Sequence, residues 1–138
     1  MNKILLSVFT ITSLVLAELP SYQCKEINNA TFINAKGEIV PEVNRASGRS
    51  KLNVSLVTQK GTKNLESLRV NGADLQVTKV SGDYVYAVEF ALNGMHTWVL
   101  FKNTDGKTFI TLSKTYDFLG APMTLYSLYA CENVNNTF

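Results

Sequence analysis

The stretch YVYAVEFALNGMHTWVLFKNTDGKTFITLSKTY (residues 84–116) decides the fold. Runs rich in Val, Leu, Phe, Tyr and Thr are separated there by Asn93-Gly94 and Asp105-Gly106. Asn-Gly and Asp-Gly accept the positive φ of tight hairpin turns, so this stretch predicts three antiparallel strands in succession. The first run alternates. Tyr84, Tyr86, Val88, Phe90 and Leu92 share one face, and Val85, Ala87, Glu89 and Ala91 the other, with Glu89 expected to point outward. MHTWVLFK (95–102) is apolar on both faces, as in a strand covered on both sides or lining a pocket on one. KTFITLSKTY (107–116) alternates less cleanly.

Outward from this core the same grammar continues. Asn71-Gly72 is a third hairpin signal, and Ser81-Gly82-Asp83 and Lys36-Gly37 are weaker turns. KLNVSLVT (51–58) and ADLQVTKV (73–80) alternate apolar with polar. Strands are expected near 20–27, 30–35, 38–43, 51–58, 65–70, 73–80, 84–92, 95–102, 107–116 and 123–132. Pro41 lacks a ladder donor, which makes 38–43 the doubtful strand and consigns it to an edge. There is no helical periodicity, repeat or low-complexity tract. Many short strands with tight turns predict an all-β domain: an antiparallel meander closing into a small barrel of about eight strands, or a β-sandwich.

The ends fix the compartment. MNKILLSVFTITSLVLA (1–17) has a positive Lys3, an uncharged run from Ile4 to Leu16, and a small-residue Val15-x-Ala17 cleavage pattern. That run is shorter than the roughly 18 residues a spanning helix needs. Residues 1–17 are therefore read as a cleaved secretory signal and 18–138 as one domain, giving a secreted or periplasmic protein with no membrane span after cleavage. Without Lys3 the balance is 12 basic to 11 acidic residues, so nothing in the charge attracts nucleic acid. A monomer is expected.

Only two cysteines occur, in SYQCKE (21–26) and LYACEN (128–133). In an oxidising compartment they predict one bridge, Cys24–Cys131, joining the first strand to the last. Each has a tyrosine two residues before it, Tyr22 and Tyr129, on the same strand face.

Little points to catalysis. His96 is the only histidine, and with the cysteines bridged no thiolate remains to bind metal, so no metal site or cofactor is expected. No G-x-S-x-G elbow, phosphate-cradling loop or EF-hand spacing occurs. A cleft converging on His96 with a carboxylate would argue for an enzyme instead. Two basic loops stand out: Arg45, Arg49 and Lys51 in NRASGRSK (44–51), and Lys60 and Lys63 in QKGTKN (59–64). Loops on a rigid β scaffold are where binding residues concentrate.

Tyr22-x-Cys24, Ser81-Gly82-Asp83-Tyr84 and the late Cys131 resemble the layout of small periplasmic inhibitors of C-type lysozyme. The resemblance implies an eight-stranded barrel with Ser81 in an inhibitory loop. The chain departs from that family in a longer segment before Ser81-Gly82. It also lacks the tryptophan–lysine–glycine run, for which Lys102 is only a loose substitute.

The expected function is non-catalytic: binding a partner protein, or inhibition, through loops that include Arg45, Arg49, Lys51, Lys60, Lys63 and Ser81. The alternative is a lipocalin-like carrier of a small apolar ligand, with Tyr84, Tyr86, Phe90 and Trp98 lining its cavity. A filled core favours the first; a cavity against Tyr84, Tyr86 and Phe90 favours the second.

Overall fold

A computed structural model describes residues 19–35, 38–44, 50–118 and 120–134. The expected signal segment 1–17, Arg45 and Arg49 lie outside the described residues. Nine strands follow in chain order: β1 (Ser21–Ala35), β2 (Glu38–Asn44), β3 (Lys51–Thr58), β4 (Leu65–Val70), β5 (Ala73–Ser81), β6 (Tyr84–Ala91), β7 (Gly94–Lys102), β8 (Thr108–Phe118) and β9 (Ala121–Asn133).

All pairings are antiparallel between sequence neighbours, except that β3 lies against β1 and β9 returns to β1. Eight strands, β1 and β3–β9, thus form a closed meander barrel, which removes the open edges a sheet would otherwise expose. β2 stands outside the circuit. It pairs with Asn29–Ala35, the later half of β1, while β3 pairs with Ser21–Lys25 on the same side.

The two expected strands 20–27 and 30–35 are one strand. The polar Ile27-Asn28-Asn29 break is absorbed by a register shift between Glu26 and Asn28 opposite β9, so the chain bulges without ending its ladder. The doubtful strand exists as β2, and Pro41 sits where the argument from its missing donor puts it, in a strand paired on one side only. Further register shifts occur at Val57/Thr58 and Val77/Lys79, where they sharpen the local twist.

Alternation selects the interior. Leu52, Val54, Leu68, Val70, Leu75, Val85, Ala87, Trp98, Leu100, Ile110, Leu112 and Tyr129 are buried together with Cys24. Leu68 and Ile110 are completely buried. Register explains how the largest aromatic fits inside: Trp98 lies opposite Ala87 on one flank and Leu112 on the other. A small residue beside the indole lets the barrel close around it. The indole N–H of Trp98 is buried with no hydrogen-bond partner among the described residues.

The predicted bridge is present, with Cys24 and Cys131 directly opposite in the β1–β9 ladder and 107 residues apart in sequence. In the chain-entropy picture a loop of that length contributes about 4.7 kcal/mol. Tyr129 is buried beside it and Tyr22 packs partly into the same core.

The turns divide between two rims. The β3–β4, β5–β6 and β7–β8 turns lie at the first rim, and the β4–β5, β6–β7 and β8–β9 turns at the second. Asn71 and Gly72 both take positive φ, 49° and 85°, as an Asn-Gly hairpin requires. At the second rim the expected Asn93-Gly94 turn is displaced by one residue, because Ala91 pairs with Gly94 and leaves Leu92 and Asn93 as the loop. Gly94 is needed for another reason: a Cβ there would run into the Thr115 carbonyl and Tyr116 of β8.

Candidate partner-binding rim and the outer wall

The first rim is built by three ordered turns. In the β3–β4 turn, Gln59 N–H donates to Asn64 O at 2.8 Å and Thr62 N–H donates to Gln59 O at 3.0 Å. Thr62 Oγ1 also accepts from Asn64 N–H at 3.2 Å. These bonds hold Lys60 and Lys63, both exposed, at the tip. Ser81 ends β5, and Gly82, with φ 56°, carries the chain through Asp83 into β6. In the β7–β8 turn the Asn103 side-chain oxygen accepts from Asp105 N–H at 3.1 Å and from Lys107 N–H at 2.9 Å. Gly106, with φ 78°, lets the backbone return.

Beside this last turn a groove of about 530 Å³ opens next to the disulfide, lined by Tyr22, Lys102, Lys107, Thr108, Cys131 and Glu132 among others. Burial pushes the Tyr22 phenol above its ordinary range, opposed by its hydrogen bond with Thr108. Lys102 and Lys107 have no ion-pair partner among the described residues, nor do Lys60 and Lys63. The rim therefore offers ammonium groups and hydroxyls beside an open concavity, together with the carboxylates of Asp83, Asp105 and Glu132.

The expected loop residues are only partly gathered here. Lys60, Lys63 and Ser81 share the first rim. Lys51 does not: it starts β3 opposite Lys25, and seven residues at about 3.3 Å each separate it from the far end of its strand. Lys102 and Lys107 join the rim although the sequence reading did not place them there. The signal was available, since Lys107 follows the Asp105-Gly106 turn directly.

The expected pocket residues separate. Trp98 faces inward. Tyr84, Tyr86 and Phe90 face outward, opposite in sense to the buried Val85 and Ala87, and Phe90 is 75% exposed. Among the described residues they line none of the grooves. Tyr84 instead stacks on Phe101, ring centroids 5.3 Å apart, and Phe101 on Phe109 at 5.8 Å, forming an external aromatic ladder across β6, β7 and β8.

Glu89 also corrects its expected direction. It shares the inward parity of Val85 and Ala87, near the second rim, and its Oε2 lies 3.0 Å from His96 Nδ1 on the paired position of β7. His96 thus meets a carboxylate. Neither residue lines any of the grooves described here. The Tyr116 hydroxyl, on the same side of β8, donates to Met123 Sδ at 3.7 Å. No cluster of three or more His, Cys, Asp or Glu side chains able to hold a metal occurs among the described residues.

Outward-facing positions differ sharply around the barrel. β3–β5 present Lys51, Asn53, Gln76 and the exposed ion pair Arg69–Asp74, with Nε to Oδ1 at 2.7 Å. Over the middle of β6–β9 the outward positions are uncharged, and charge returns only at Asp117 and Glu132 toward the strand ends. A second groove, about 380 Å³, lies in that region against β1, lined by Asn28, Ala30, Thr111, Ser113, Tyr126 and Leu128 among others. No helix among the described residues is long and apolar enough to cross a membrane.

Compared with protein-family models, with curated proteins and with solved structures, the chain matches none. The likeness to lysozyme inhibitors is therefore one of layout: the eight-stranded closed barrel it implied is present, with no family match behind it.

Proposed function

We propose that this chain is an exported, non-catalytic binding domain that engages a partner protein through the first rim. The observation that carries the reading is the combination of a packed core with ordered turns that present Lys60, Lys63, Ser81 and Lys107 on one rim, where a groove opens beside the disulfide. A barrel packed with Val54, Leu68, Trp98 and Ile110 has spent its inside on stability, which supports recognition on the outside over carriage within. The disulfide fits an oxidising compartment, in keeping with export by the leader. The rim's ammonium groups Lys60, Lys63, Lys102 and Lys107 alternate with the carboxylates Asp83, Asp105 and Glu132, so the partner's matching surface is of mixed charge.

The experiment is affinity capture from the native extracellular or periplasmic fluid, with the wild-type domain and a Lys60→Glu/Lys63→Glu/Lys107→Glu variant as parallel baits. One protein retained by the wild type and lost by the folded variant is expected. Equal retention by both baits contradicts the rim assignment, and an apolar small molecule as the sole captured species contradicts the binding-domain reading itself.

A further inference from the structure

Register shows how complete the change in the outer surface is. Tyr84, Phe101, Phe109 and Ala130 lie side by side across β6, β7, β8 and β9. Tyr86, Val99, Thr111 and Leu128 form the next row. Val88, Thr97, Ser113 and Tyr126 form the third, and Phe90, Met95, Thr115 and Thr124 the fourth. No position in this grid is charged. The ionisable residues of the same strand segments, Glu89, His96 and Lys114, occupy successive inward positions instead. The grid is bounded by Lys79 opposite Tyr86 on one side and Lys25 opposite Ala130 on the other.

We propose that this wall is the interface of a symmetric dimer of the chain. Three observations favour a second copy as the occupant. First, the wall is self-compatible: an isologous interface apposes a patch with itself, and here no like charges meet, whereas apposing β3–β5 with itself would crowd Lys51 and Arg69. Second, the relief is complementary in kind. Phe90 (75% exposed) and Tyr126 (50%) protrude, and the groove between Thr111, Ser113, Leu128 and Ala30 recedes in the same surface. Third, the size suits a reversible pair. Four strands at about 4.8 Å and seven residues at about 3.3 Å project to roughly 400 Å². That lies within the roughly 300–600 Å² of a typical monomer's largest apolar patch, and about 800 Å² over both copies is the size of a weak, transient contact.

The test is sedimentation equilibrium of the full domain, disulfide intact, over a wide concentration series. The wild type should move from monomer to dimer as concentration rises. Added salt should leave that transition in place, because no ion pair crosses the wall. Phe90→Lys and Tyr126→Lys change exposed side chains and should each weaken dimerisation by about tenfold or more. Gln76→Lys, on the charged wall, should leave it unchanged. If a wall variant fails to fold, concentration-dependent protection from hydrogen exchange in 84–101 of the wild type reads the same interface. A monomer at every concentration overturns the proposal, as does a dimer indifferent to both wall variants. A monomer that binds phosphatidylcholine vesicles through Phe90 also overturns it, in favour of a lipid surface.

Discussion

Strands β3–β5 and strands β6–β9 share one inward pattern and have opposite outward ones. Inside, Leu68 and Leu75 of the first group serve the same core as Ala87, Trp98 and Ile110 of the second. Outside, the first group carries Lys51, Arg69 and Asp74, and the second carries tyrosine, phenylalanine, valine and threonine over its middle span, with Asp117 and Glu132 only toward the strand ends. The inward pattern builds the barrel and needs only apolar residues of suitable volume. The outward pattern contributes little to closing it, so the difference between the two groups is a difference in what they meet. β1 is the seam: it pairs with β3 on one side and β9 on the other, and the disulfide sits in that seam.

The largest effect should come from cutting the seam. Cys24→Ser with Cys131→Ser frees the ends of a 107-residue loop, for which chain entropy predicts a loss approaching about 4.7 kcal/mol. Chemical denaturation of the oxidised and doubly substituted proteins measures it. Because β1 contacts both groups, hydrogen exchange should accelerate in β3 and β9 alike; acceleration in β9 alone would mean that β1 belongs to one group only.

Two glycines sharpen the contrast at smaller scale. Gly94, among the uncharged strands, has no room for a Cβ against Thr115 and Tyr116. Gly72, among the charged strands, has open space but φ of 85°. Gly94→Ala forces backbone apart and should cost about 1–3 kcal/mol. Gly72→Ala carries conformational strain alone and should cost about 1 kcal/mol. Melting temperatures of the two variants rank them; the reverse order would show that the β7–β8 approach yields readily.

The smallest effect belongs to the exposed pair. Its hydrogen bond to Arg69 holds the Asp74 carboxyl below the usual carboxylate range, with the guanidinium charge acting in the same direction. A carboxylate whose folded pKa is depressed contributes stability above its unfolded pKa and loses it as pH falls through the folded value. Arg69→Ala should therefore return the Asp74 titration upward toward the ordinary range, followed by its side-chain carbon resonance. Both groups are solvated, so the melting temperature at neutral pH should barely move.

Much of this was legible in the chain. Turn dipeptides and alternation gave the meander, and two terminal cysteines, read with an expected export signal, gave the clasp. What failed did so for local physical reasons. Both faces of 84–92 are apolar, so alternation alone does not say which faces in; the larger residues went outside because Trp98 needs Ala87 beside it. Asn93-Gly94 signalled a turn one residue late, since Gly94 serves close approach instead of positive φ. The bulge after Glu26 was invisible because a polar break reads as a strand end. The candidate rim was half legible: Lys60 and Lys63 are close in sequence, whereas Lys102 and Lys107 reach the disulfide groove only after the barrel closes.

The central claim is that a filled, clasped barrel does its work on the outside. Native mass spectrometry of the protein purified from its native source tests that claim most directly. The account predicts the polypeptide mass less two hydrogens for the disulfide, with no small molecule retained. A retained apolar adduct, released only on unfolding, would contradict it.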